Sequence, residues 1–128
     1  MNNFVYSIFL CLLIGCKPAP EPEINIQNLK ESFISKDEAQ FLNQFPKDFE
    51  KFDNYFGWDS DKGGPQELYD EANTYIDYWF DLVNKEEHKA HEKNIINICI
   101  TGHWEADAIG YFQMKSRSYI KEKQKYQL

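Results

Sequence analysis

The sequence predicts an all-α fold, a single small domain of about five short helices that follows a leader and a tether. In several segments apolar residues recur at spacings of three and four, and residues that start or stop helices lie between these segments. Aromatic residues make up 16% of the chain, which supplies large side chains for one core. Only residues 95–100 could form a buried strand, and one strand cannot make a sheet.

The first two predicted helices meet at Pro46. Ser35 and Glu38 form a capping-box pattern, which predicts a helix start at Ser35. Pro46 ends that helix and can open the next one at its first turn. Spacings of four, three and four place four aromatic residues on one face of the second helix: Phe45, Phe49, Phe52 and Phe56. Gly57 is a suitable residue to end this helix.

The clearest predicted helix starts at Pro65. Its apolar face follows spacings of four, three, four and three, through Leu68, Ala72, Tyr75, Trp79 and Leu82. Asn84 predicts the start of another helix, which ends at Gly102 and has one side formed by His91, Ile95, Ile98 and Cys99. A last helix is predicted from Trp104 to about Gln124, with Gly110 as a place where it can bend.

The N-terminus has the pattern of a secretory leader. Residues 4–14 are apolar, a length that suits a signal peptide and is too short to span a bilayer. The leader ends in the motif Leu13-Ile14-Gly15-Cys16. This motif resembles the lipobox of bacterial lipoproteins. The resemblance implies that residues 1–15 are a signal peptide and that Cys16 carries two or three acyl chains, palmitate among them.

The lipobox resemblance also implies a cellular location for the protein. Two or more acyl chains anchor a protein stably, whereas one gives marginal binding. We expect residues 16–27, the lipidated cysteine and a proline-rich stretch, to form a flexible tether, and residues 28–128 to form the helical domain. The domain would lie on the exported side of the cell membrane or outer membrane. The alternative is an ordinary cleaved signal in which Cys16 has no role.

The charge distribution of the chain limits the classes of molecule that it could bind. The net charge is −7, with −8 on residues 48–81 and +4 on residues 115–128. An acidic body disfavours nucleic acid and is compatible with a basic protein, such as a toxin, or with a cation, although solubility alone can explain it. The basic end can complement a helix dipole or contact anionic lipid headgroups. Off the apolar faces lie our candidate binding residues: Asp70, Asp77, Asp81, Trp104, Glu105 and Asp107.

Two metal sites can be considered. Asp59 and Asp61 precede Gly64 as in an EF-hand calcium loop, and Asp70 falls at its twelfth position. Because Gly63 offers no ligand at the fifth position and Asp70 is shorter than the usual Glu, the pattern favours a solvated turn. The residues His88, His91 and Glu92 match no known zinc-protease order, which favours surface roles. We expect no metal and no cofactor beyond the covalent lipid.

Catalysis has one candidate segment, residues 102–108, which holds His103, Trp104, Glu105 and Asp107. Cys99 lies nearby, but its apolar run predicts a buried, inert thiol. Glu105 and Asp107 diverge on a helix, and acidic residues suit a helix start without any chemistry. The alternative function is therefore a metal-dependent or hydrolytic envelope enzyme that uses His103, Glu105 and Asp107.

Two signatures span most of the mature domain: Phe45-Pro46-x-x-Phe49-x-x-Phe52-x-x-x-Phe56-Gly57 and Gly102-x-Trp104-x-Ala106-Asp107-Ala108-x-x-x-Phe112-Gln113. They resemble small bacterial proteins, some of which are encoded beside polymorphic-toxin genes as immunity proteins. The expected function is thus a membrane-anchored, non-catalytic protein-interaction domain, in its sharpest form an immunity protein. A structural envelope lipoprotein without a partner is the other alternative.

Overall fold

The structure is a computed structural model, and it describes residues 24–100, 102 and 107–126. These residues form six α-helices, one 3₁₀ helix and one short hairpin, which confirms the all-α prediction. The elements are α1 (Ile26–Ser35), α2 (Glu38–Gln44), α3 (Phe49–Phe56), β1 (Trp58–Asp59), β2 (Gly64–Pro65), α4 (Ala72–Val83), the 3₁₀ helix (Glu86–Glu92), α5 (Lys93–Ile100) and α6 (Asp107–Lys125).

Side-chain caps fix the starts of the first three helices. Asn25 accepts hydrogen bonds from the backbone of α1, Asp37 from that of α2 and Asp48 from that of α3. Each cap supplies an acceptor for N–H groups that have no partner within the helix. Between α1 and α2, Lys36 adopts a left-handed conformation at φ 59°, which ends α1.

These caps correct two predicted helix starts. Ser35 lies in the last turn of α1, where its hydroxyl bonds to the carbonyl of Ser32, so Asp37 rather than Ser35 caps α2. Pro46 lies outside both helices, because Asp48 supplies the cap of α3. The first helix begins at Ile26, two residues before the domain boundary drawn from the sequence.

The predicted helix start at Pro65 is also wrong, because Pro65 lies in β2 and pairs with Trp58 across the hairpin. The chain then runs through turns, and α4 begins only at Ala72. Leu68 nevertheless reaches the core, since its backbone N–H donates to the carbonyl of Tyr55 and its side chain is fully buried.

The segment after α4 differs from the single α-helix predicted there. Asn84 ends α4 instead of starting the next helix, and residues 86–92 form a 3₁₀ helix before α5 begins. Lys85 and His88 both contact the Glu38 carboxylate, at 2.6 and 2.9 Å. This segment is therefore tied to the start of α2.

An aromatic core joins α2, α3, α4 and α6. Trp79 lies at its centre, with ring centroids 5.4 Å from Phe45, 4.9 Å from Phe80 and 5.6 Å from Phe112. The apolar positions predicted for this segment are buried, Leu68 from the turn before α4 and the others from α4 itself: Ala72, Tyr75, Trp79 and Leu82. In the described part of the chain, no helix combines the length and the hydropathy needed to cross a bilayer.

Candidate interaction surface

A groove of about 350 Å³ lies between α5 and α6. Its lining is predominantly apolar and includes Ile96, Cys99 and Ile100 from α5 and Gln113, Arg117 and Ile120 from α6. A contiguous exposed apolar area of this kind marks a binding surface more often than scattered apolar residues do.

Three isoleucines make this groove apolar and open to solvent. Ile96 is 60% exposed, Ile100 75% and Ile120 48%. Helix α5 has apolar residues on two sides, because Ile95 and Ile98 are buried in the core while Ile96 and Ile100, four residues apart, share the outer side. Sequence reasoning missed this surface, although the run of residues 95–100 holds more apolar side chains than one helix face needs.

Basic side chains border the groove. Lys93 lines a depression together with Ile96 and Ile120, and Lys121 lines another together with Met114 and Arg117. Lys93 and Lys121 are exposed, and neither forms an ion pair with another described residue. Glu92 lines the first depression as well, but the Lys123 Nζ lies 3.5 Å from its carboxylate, so the rim of the apolar groove keeps a net positive charge.

Cys99 lies in this groove as a half-buried free thiol. Its Sγ lies 3.8 Å from the Ser116 Oγ, so its nearest polar partner is a hydroxyl and not a base. Burial raises the pKa of the Cys99 thiol, and the contact with Ser116 offsets this only in part. The thiol thus stays protonated at neutral pH, which disfavours nucleophilic chemistry there.

The three candidate aspartates of the α4 region differ in their surroundings. Asp77 lies 2.9 Å from the Lys115 Nζ and accepts a 2.7 Å hydrogen bond from the Tyr111 hydroxyl. Burial raises the pKa of Asp77, but Lys115 and Tyr111 together bring it below its usual value. The Asp70 and Asp81 side chains are exposed and form no ion pair or hydrogen bond within the described residues, although Asp81 lies close enough to Lys115 to help raise the pKa of that lysine.

The groove and the α4 contact lie on opposite sides of α6. Successive residues of an α-helix are rotated by about 100°, so residues two apart point in nearly opposite directions. Tyr111 and Lys115 face Asp77 of α4, whereas Gln113 and Arg117, two residues further on, line the groove. The molecule therefore has two chemically different flanks.

The segment considered as a calcium loop, for which the sequence favoured a solvated turn, is a hairpin turn in the structure. The Asp59 Oδ1 accepts hydrogen bonds from the backbone of Asp61 and Lys62, and its Oδ2 lies 3.0 Å from the Lys62 Nζ. Contact with Lys62 lowers the pKa of Asp59. Within residues 24–100, 102 and 107–126, the structure brings together no group of three His, Cys, Asp or Glu residues suited to a metal ion.

The remaining candidates are only partly described. Asp107 lies in the first turn of α6, and its Oδ2 accepts a 2.9 Å hydrogen bond from the Tyr69 hydroxyl, which raises the pKa of Tyr69. Cys16, His103, Trp104 and Glu105 lie outside the described residues.

The two other histidines lie within the 3₁₀ helix. His88 contacts Glu38, and burial together with neighbouring positive charge lowers the pKa of His91. Neither histidine belongs to a group of three potential metal ligands among the described residues.

Comparisons of the chain with protein-family models, with curated proteins and with solved structures found no match.

Proposed function

We propose that this chain is a lipid-anchored, non-catalytic interaction domain of the bacterial envelope. Its anchor is the acylated Cys16, and its α4 side binds a basic protein partner. In the sharpest form of the proposal that partner is a toxin, which the domain blocks. The anchor rests on the lipobox resemblance of residues 13–16, and the toxin on the resemblance of the two aromatic signatures.

The main observation behind the proposal is that the carboxylates near α4 differ in their exposure and in whether they form an ion pair. Asp70 and Asp81 are exposed near the two ends of the helix and form no ion pair within the described residues, while Lys115 contacts Asp77 directly and interacts with Asp81 only at longer range. Free carboxylates on the acidic side of a protein attract a partner of opposite charge and speed its association. Their availability supports a partner with Lys or Arg side chains at matching positions.

The surroundings of the nucleophilic and basic side chains support a binding role over a catalytic one. A nucleophile needs an adjacent base or a lowered pKa. Cys99 has the opposite, a raised pKa and a hydroxyl neighbour. His88, a potential base, is instead held by the Glu38 carboxylate.

Capture of a partner from envelope extracts tests the proposal. The lipidated protein should recover a basic protein, and the variant Asp70→Asn with Asp81→Asn should bind about tenfold more weakly, since two attractive charges are lost. The control variant Glu50→Gln with Glu87→Gln changes the net charge equally at exposed positions elsewhere. It should bind like the wild type.

Two results would count against the proposal. One is that no protein partner is recovered by the wild type, which would favour a purely structural lipoprotein. The other is an equal loss of binding in both double variants, which would show that net charge rather than the α4 side governs the association.

A further inference from the structure

We infer that the α5–α6 face lies on the anionic surface of the bilayer that holds the lipid anchor. This face consists of the exposed isoleucines Ile96, Ile100 and Ile120 and the bordering lysines Lys93 and Lys121. The inference rests on the proposed acylation of Cys16, and it adds a second, non-covalent contact with the membrane.

The apolar part of the face has the composition of an interfacial surface. Ile96, Ile100 and Ile120 line one groove and are each about half exposed or more. Apolar side chains that protrude beside lysines enter the boundary between headgroups and acyl chains, while the lysines remain at headgroup level.

The positive charge of the α5–α6 face favours a negatively charged surface as its binding partner. Lys93 and Lys121 border the isoleucines without ion-pair partners among the described residues, and Arg117 adds a further cationic side chain to the groove lining. The acidic α4 residues lie on the other flank of α6, where Asp77 faces Tyr111 and Lys115. An anionic bilayer therefore attracts one flank and repels the other, which orients the domain.

The tether favours the bilayer over a protein as the occupant. Asn25, the cap of α1, follows Cys16 by nine positions, and a fully extended chain of that length spans about 30 Å. A domain held this close meets the membrane at a high effective concentration, so even a weak contact is populated. The α4 flank then faces away from the lipid and is free for a protein partner.

Spin labels on two matched isoleucines test this contact. Ile100 on the face and Ile34 on α1 are 75% and 76% exposed. Each is replaced by Cys in the background Cys99→Ala of the mature, lipidated protein, labelled, and reconstituted into vesicles of equal parts phosphatidylcholine and phosphatidylglycerol. Power saturation then measures the accessibility of each label to a water-soluble nickel chelate.

We expect the label at position 100 to be shielded from the chelate several-fold more than the label at position 34. The shielding should weaken in vesicles of phosphatidylcholine alone. It should also weaken in the variant Lys93→Gln with Lys121→Gln, because both changes remove the electrostatic attraction while leaving the isoleucines in place.

Equal accessibility at both positions would overturn the inference, as would shielding that appears only when an envelope protein is added. Flotation of the vesicles separates this failure from failure of the proposed function. Protein that floats with an accessible label at position 100 refutes the docking alone. Protein that does not float refutes the anchor and the docking together.

Discussion

At the scale of single residues, two glycines lie in opposite surroundings. Gly57 ends α3, and a methyl group added there would lie 2.6 Å from the backbone carbonyl oxygen of Asp53, which cannot move without disturbing the helix. Gly110 lies inside α6, where an added methyl group would meet no atom within 4 Å. The same substitution should thus have opposite effects at the two sites.

We expect Gly57→Ala to lower the free energy of unfolding by about 1–3 kcal/mol because of this overlap. Gly110→Ala should raise it by about 0.5–1 kcal/mol, since alanine restricts the unfolded chain more than glycine does. Urea denaturation followed by circular dichroism measures both changes. A loss of stability at Gly110, or none at Gly57, would contradict the packing described for α3 and α6.

At the scale of elements, α4 and α6 are joined by a polar contact as well as by the core. Asp77 on α4 accepts from Tyr111 and pairs with Lys115 on α6, while Asp81, one turn further along α4, forms no ion pair with a described residue and acts on Lys115 only at longer range. These two aspartates therefore serve as a matched pair for measuring what the contact contributes.

Asp77→Asn should destabilise the domain by about 0.5–1 kcal/mol at neutral pH, a value that allows for the partial exposure of the pair. Asp81→Asn should change stability by less than about 0.5 kcal/mol. The pKa of Asp77 is lower in the folded protein than its ordinary value of 3.8. Its contribution is thus present above that value and is lost as the pH falls through the folded pKa.

Denaturation midpoints across the acidic range measure this difference. The gap between wild type and Asp77→Asn should close as the pH falls below the ordinary pKa of Asp77. A gap that persists unchanged in strong acid, or an equal effect of Asp81→Asn, would show that the Lys115 pair does not stabilise the α4–α6 contact.

Periodicity predicted the cores of the helices better than their ends. Tyr75 and Trp79 are buried as expected, because the spacing of apolar residues decides which side of a helix is removed from water. Helix ends depend on a competition among nearby polar side chains. Asp37 rather than Ser35 caps α2, and Pro65 lies in a hairpin that the local sequence pattern did not predict.

The candidate site was less accessible to sequence reasoning than the fold. Asp77 and Lys115 are far apart in the chain, so no local pattern shows that Lys115 neutralises one of three similar aspartates. Ile96 and Ile100 have the same residue type as the buried Ile95 and Ile98, and only the packing of α5 distinguishes the two pairs. The proposed function depends on which side of a helix stays exposed, and the sequence pattern alone does not show this.

At the scale of the whole molecule, the two flanks of α6 differ in polarity and charge, so the two sides of the domain suit different partners. One flank carries exposed isoleucines and lysines, and the other faces α4 with its acidic residues. In our account a short tether places the first flank toward the bilayer and leaves the second facing outward. The −8 charge on residues 48–81 is then presented to a partner that approaches the membrane.

This arrangement depends on acylation of Cys16, so incorporation of labelled palmitate is its most direct test. Cells that express the wild type or Cys16→Ser are grown with the label, and the protein is isolated from membrane and soluble fractions. We predict that label enters only the wild type, which remains with the membranes, and that Cys16→Ser appears in the soluble fraction. Absence of label from the wild type, together with identical fractionation of the two forms, would contradict the account.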